Sequence, residues 1–134
     1  MMWPEAVERI ASFVRESQAQ ARLEELPPGV ETAPGPAVRA DAFDCDGRAV
    51  VVVVAADAAV DHARVRQRAG CRELRPAGTG SFPYQGALVY VDRALMSLRT
   101  VWVEAGSPRH VLGLGPRQLL RLTRADTGSF VRDD

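Results

Sequence analysis

Residues Ala49 to Ala56 form an unbroken apolar run with consecutive valines from Val50 to Val54 at its heart. Valine branches at Cβ and is stiff, so a run of this kind favours a strand over a helix. No polar residue alternates with the valines, so both faces of the strand must be covered, which makes it central in a sheet. Asp46-Gly47, immediately before it, is a strong hairpin signal. It pairs the valine run with Ala37 to Asp44, where Val38, Ala40 and Ala42 alternate with Arg39 and Asp41. A buried hairpin of this kind needs further strands beside it and helices over its faces. The chain has 134 residues, 46% of them hydrophobic, which is enough for a core without disulfides. The expectation is an α/β fold, as a single domain over residues 1–134.

The remaining elements follow from local pattern. From Pro4 to about Gln20, Val7, Ile10, Ala11 and Val14 recur at helical spacing. Ala21 to Leu26 reads as a short strand, and Glu31 to Pro36 as a loop. Asp57 to Ala69 reads as a helix with Gly70 as its C-cap. Cys71 to Leu74 is a candidate strand and Pro76 to Gly86 a loop. Ala87 to Val91, Thr100 to Glu104 and His110 to Leu114 read as strands. Pro116 to Thr123 reads as a helix, with Leu119 and Leu122 inward and Arg117, Arg121 and Arg124 outward. No segment approaches the roughly 20 apolar residues that span a bilayer. The N-terminus carries no signal-peptide pattern, so no membrane association and a cytoplasmic location are expected. In that setting Cys45 and Cys71 are expected to be reduced thiols rather than a bridge.

All 17 basic residues are arginine, and the formal net charge is zero. Arginine does not accept protons at neutral pH, so chemistry that needs a basic amine lacks its usual residue. His62, His110 and the cysteines do not fall at metal-site spacing, and no metal or other cofactor is expected. Asp41, Asp44 and Asp46 lack the pattern of a calcium loop. Gly78 to Pro83 is glycine-rich but does not lie between a strand and a helix, so it fails as a dinucleotide motif. Arg64, Arg66, Arg68, Arg72 and Arg75 crowd one segment. They are either a solvated face or a phosphate-binding footprint.

Taken in order, Glu25-Leu26-Pro27, Thr32-Ala33, Val38 to Phe43, Val60-Asp61, Gly80-Ser81-Phe82-Pro83, Tyr90-Val91-Asp92, Glu104-Ala105-Gly106 and Pro116 to Thr123 form a succession spanning nearly the whole chain. It resembles the YbaK / prolyl-tRNA-synthetase-associated family of aminoacyl-tRNA editing domains, which implies an α/β (α+β) fold in which a mixed, mostly antiparallel sheet carries packed helices. The resemblance implies hydrolysis of amino acids wrongly attached to tRNA, with the tRNA acceptor end as partner and an aminoacyl-tRNA synthetase as a further one. It also implies a water or ribose hydroxyl as attacking group, held by backbone donors. On that basis the catalytic candidates are Arg39, Gly80, Ser81, Glu104 and Gly106. The substrate-binding candidates are Phe82, Pro83, Arg64, Arg68 and Arg72.

The chain departs from the family pattern at several points. Arg39 stands where the family has a lysine in the first core strand. The G-x-x-x-P loop is present only as Gly80 to Pro83, one residue tighter, or from Gly78, one residue looser. Glu104 replaces a small or hydroxyl residue, Val111 a polar one, and two helices that flank the family's pocket are missing. Arg39 is expected to point into a cleft formed by Gly80 to Pro83, Glu104 and Gly106, and to pair with Glu104 if that cleft is closed. Ser81 is disfavoured as a nucleophile because no histidine is placed to activate it. Three functions stay open: a deacylase of altered specificity, a non-catalytic tRNA- or protein-binding relative, and an enzyme acting on another small aminoacyl ester or amide.

Overall fold

The computed structural model describes residues 3–132. Helix α1 (Glu5–Glu16) is followed by strands β1 (Ala21–Glu25), β2 (Val38–Cys45) and β3 (Arg48–Ala55). Helix α2 (His62–Ala69), β4 (Leu74–Thr79) and β5 (Leu88–Asp92) come next, and a 3₁₀ turn over Arg93–Ser97 leads to β6 (Val101–Glu104). The chain continues through β7 (His110–Leu114), α3 (Pro116–Thr123) and β8 (Asp126–Gly128).

The β2–β3 hairpin turns at Asp46 and Gly47, which take φ of 51° and 90°, the left-handed pair that a tight hairpin requires. One sheet runs β4-β2-β3-β5-β8 and places β3 at its centre; the other runs β1-β7-β6. The β3–β5 and β5–β8 ladders are parallel and the remaining ladders antiparallel. A bridge between Ala37 and Trp102 joins the two sheets where β2 begins. The expected mixed, mostly antiparallel α+β architecture is therefore present.

Both faces of β3 are buried, as its composition demands. Val50, Val52 and Val54 pack with Phe43, Cys45, Val65 of α2, Tyr90 and Phe130. Val51 and Val53 face the other way and join Ile10, Phe82, Val89, Leu112 and Leu119. All five valines are at most 4% exposed. The second face is the larger core, lying between the two sheets and covered by α1 and α3.

Four expectations need correction. Helix α2 starts at His62 rather than Asp57, because the Asp61 carboxylate caps the amides of Ala63 and Arg64 at that point. The segment read as the loop Pro76 to Gly86 begins instead inside β4, an edge strand that tolerates Pro76 and Gly78 because it pairs on one side only. The strand expected over Cys71 to Leu74 is present only at Leu74, where β4 begins, because the Cys71 to Glu73 segment is held as a turn by Asp46. Cys45 and Cys71 are bridged rather than reduced, with Cα atoms 5.4 Å apart. Compartment reasoning cannot see that the hairpin and the turn after α2 bring the two residues within bridging range.

Buried polar groups hold the chain ends and loops. Asp92 is 5% exposed. It accepts hydrogen bonds from the amides of Phe130 at 2.9 Å and Ala94 at 3.2 Å, so it fastens the C-terminal segment to β5. Arg109 donates to the carbonyls of Val30 (2.8 Å), Leu26 (3.0 Å) and Pro27 (2.6 Å) and thereby clamps the loop after β1.

Candidate functional site

The turn at Gly80 to Gly86 is shaped by a cis Phe82-Pro83 bond, and the Tyr84 amide donates back to the Ser81 carbonyl at 2.7 Å. Phe82 and Tyr84 are driven into the larger core, 4% and 6% exposed, which leaves Ser81 on the surface. Gly80 is pinned to β2 by its amide, which donates to the Ala40 carbonyl at 2.9 Å. A Cβ on Gly80 would lie 3.1 Å from both Tyr84 and Val51. Opposite this turn, the loop after β6 passes under α1 at Gly106, where φ is 91°.

Between these walls lies a cleft of about 620 Å³. Gly80, Ser81, Phe82, Pro83, Gln85, Glu104 and Gly106 line it on one side, and Ala6, Arg9, Ile10 and Phe13 of α1 on the other. Six of the ten site residues expected from sequence, Gly80 to Pro83, Glu104 and Gly106, are thus brought together. Contributions from α1 were not foreseen: its inward side was legible as core, and nothing in Arg9 or Phe13 marks a cleft wall. Glu104 is exposed, and among the described residues it has no ion-pair or hydrogen-bond partner. The Tyr84 hydroxyl is held above its ordinary range, mainly by burial and secondarily by the Glu104 charge.

Arg39 does not line the cleft. Strand alternation places it opposite Val54, on the α2 face of the sheet, whereas Ala40 faces the larger core with Val53. Arg39 pairs with Asp41 at 2.8 Å and donates to the carbonyls of Ala56 and Ala58, both at 2.8 Å. The expected Arg39–Glu104 pair is therefore absent, because the two side chains leave the sheet on different faces. An Arg39→Ala variant should lose about 1 kcal/mol of stability, as expected for a half-exposed ion pair with its hydrogen bonds. It should leave ligand binding in the cleft unchanged, as measured by thermal unfolding and titration.

The expected phosphate-binding arginines are also elsewhere. Arg64 donates to Ser129 Oγ at 3.3 Å and to the Val131 carbonyl at 3.1 Å. Arg68 donates to the Thr127 carbonyl at 3.0 Å and covers the Tyr90 ring at 5.2 Å. Both fasten the C-terminal segment against α2, on the opposite side of β3 from the cleft. Arg72 is exposed in the following turn. No group of His, Cys, Asp or Glu able to hold a metal occurs among the described residues.

A serine–histidine pair does exist, away from Ser81. Ser107 Oγ lies 2.6 Å from His110 Nδ1 and accepts from the Arg109 amide at 3.0 Å. His110 is 4% exposed, stands edge-on to Trp3, and leaves Nε2 without a hydrogen bond, 3.8 Å from Glu25. The pair organises the β6–β7 turn beside Gly106.

No protein-family model and no curated protein matches the sequence. A crystal structure of a candidate trans-editing enzyme for prolyl-tRNA synthetase superimposes with a TM-score of 0.83 at 21% identity, covering 98% of this chain and 100% of that one. The chain has the YbaK-like editing-domain fold. A scaffold protein used to present grafted linear epitopes shares that fold with a TM-score of 0.84 at 19% identity, over 98% of this chain and 100% of its own. A hypothetical protein shares it at 0.80 and 18% identity, over 92% of this chain and 99% of its own. Within the YbaK-like fold described here, the cleft side of β2 presents Ala40, so no cationic side chain from that strand enters the cleft. No helix of the described residues is long and apolar enough to cross a membrane.

Proposed function

We propose that the protein hydrolyses the ester of mischarged aminoacyl-tRNA, with the acceptor end held in the cleft between α1 and the Gly80 to Pro83 turn. The observation that carries this reading is the convergence of Gly80 to Pro83, Glu104 and Gly106 on one cavity within an editing-domain fold. No lysine or histidine lines that cavity, so the chemistry rests on positioning and backbone donors. The Gly80 amide is already engaged by Ala40. The amides of Ser81 and Gly106 have no partner among the described residues, and they are the donors for the developing oxyanion. A water attacks the ester carbon and gives up a proton, which the neighbouring ribose hydroxyl relays to the departing oxygen. The bond to the ribose oxygen then breaks, and that oxygen takes up a proton.

The same lack of a basic group favours a second reading, a tRNA-binding relative without catalysis. Incubation with a panel of mischarged tRNAs separates the two. The expected result is release of at least one amino acid at a rate at least about 100-fold above spontaneous hydrolysis, the scale of a single oxyanion donor. Binding of the panel with no release above background supports the second reading, and neither binding nor release removes tRNA as a partner.

A further inference from the structure

The cleft carries charge at only two of its lining residues, and they stand on different elements: Arg9 on α1 and Glu104 at the end of β6. Their surroundings are unequal. Arg9 lies 3.6 Å from Glu5 one helical turn earlier, a pair with side chains 73% and 87% exposed that is weak but locally neutralising. Glu104 has no such partner among the described residues. The wall beside it is built from Phe82, which is 4% exposed and in edge-on contact with both Phe13 and Tyr84. An unneutralised carboxylate at the rim of a cleft with an apolar wall is a site for a cation that also carries an apolar part, because the charge is met at the solvated end and the apolar part at the wall. The negative charge also reaches inward, since the buried Tyr84 hydroxyl responds to it.

From this arrangement, and resting on the editing reading of the cleft, we infer that Glu104 recognises the α-ammonium group of the aminoacyl ester and so restricts the site to esters whose amino group is free. The α-ammonium is the one cation that every aminoacyl ester carries. The side chain varies, and the carboxyl group is neutral once esterified. Arg9 is already offset by Glu5 on the α1 wall and offers an ammonium no attraction, so the substrate's amino group turns towards β6. An N-acylated ester, as in a formylated or peptidyl chain, is neutral at that position and offers Glu104 at most one amide N–H in place of a cation. Glu104 is thus a specificity-determining residue, and it keeps the hydrolytic site away from N-blocked esters.

The test uses the whole chain and two stable probes, 3′-deoxy-3′-(alanylamino)adenosine and its N-acetyl form. In these probes an amide replaces the ester. Their binding is followed by nuclear magnetic resonance of labelled protein, in parallel with cleavage of alanyl-tRNA and N-acetylalanyl-tRNA. The free-amine probe is expected to bind at least about 10-fold more tightly, the ratio given by one ion pair near a protein surface. In Glu104→Gln that preference should fall to less than about 2-fold, with the N-acetyl probe unaffected. Glu104 is exposed and makes no contact that folding needs, so the variant folds. Equal binding of the two probes, no binding of either, or a preference that survives Glu104→Gln overturns the inference. Cleavage of both tRNAs at equal rates also overturns it while leaving the deacylase reading intact. A Glu104-dependent preference without cleavage of either tRNA upholds it and rejects catalysis.

Discussion

A Cys45→Ser, Cys71→Ser variant is expected to unfold at a free energy lower by about 3 to 4 kcal/mol, the loop-closure value for a ring of this size. The bridge spans a sequence separation of 26 and ties the end of β2 to the turn after α2. It adds a covalent cross-link, beyond the backbone through α2, between the β2–β3 hairpin and the segment that leads into edge strand β4. Guanidinium titrations of the native chain with and without a thiol reductant should differ by the same amount, and the variant should show no difference. Superimposable curves for the native chain would show that the bridge contributes nothing. A second fastening lies beside it, because the Asp46 carboxylate accepts from the amides of Arg72 at 2.7 Å and Glu73 at 3.0 Å. Those backbone bonds hold Asp46 below the ordinary aspartate range. Its contribution is therefore present above that range and is lost as pH falls through the lowered value, whereas the disulfide is indifferent to acid.

Gly106→Ala should be comparably severe and should also damage the cleft. An alanine there would adopt φ of 91° and place its Cβ 2.8 Å from the Val7 amide nitrogen and 2.9 Å from the Ala6 carbonyl carbon. These are backbone atoms of α1 and cannot rotate aside as a side-chain tip would. Conformational strain and steric overlap each cost about 1 to 3 kcal/mol, so a total of about 3 kcal/mol is expected. Relief comes from moving the start of α1, which carries Ala6, Arg9 and Ile10 of the cleft wall. Gly47→Ala is the natural control, since its φ is 90° but nothing lies within 4 Å of the added carbon. Thermal unfolding of both variants should show a loss of about 1 kcal/mol for Gly47→Ala. Equal losses would mean that contact with α1 is unimportant.

Much of this architecture was legible because its causes are local. Val50 to Val54 announce a strand buried on both sides, Asp46-Gly47 its turn, Gly70 the end of α2, and Pro116 to Thr123 a complete helix. The failures share a different cause. The two-sided burial that identifies β3 also hides which of its faces carries the cleft. Arg39 was therefore assigned to the correct side of its strand relative to Ala40, while that side faces α2 rather than the site. Strand β4 was placed too early, at Cys71 to Leu74, because Pro76 and Gly78 read as loop residues wherever a partner strand is not known. The bridge of Cys45 with Cys71 and the tethers made by Arg64 and Arg68 depend on proximity across the fold, for which residue types alone carry no signal.

The arginine clamps also bear on how the protein meets alkali. Arg39 and Arg109 hold loop carbonyls through guanidinium groups, which keep their protons above about pH 12, whereas a lysine ammonium would begin to lose its proton near pH 10. Those fastenings persist through the range in which amine-based ones fail. Tyr84 is exposed to alkali in another way, because its hydroxyl must shed a proton inside the core. The stability linked to that raised value is complete below the ordinary tyrosine range near pH 10 and drains away as pH climbs towards it. Alkali therefore acts on the turn that forms one wall of the cleft, and on β5 through Tyr90, whose hydroxyl is also raised by burial.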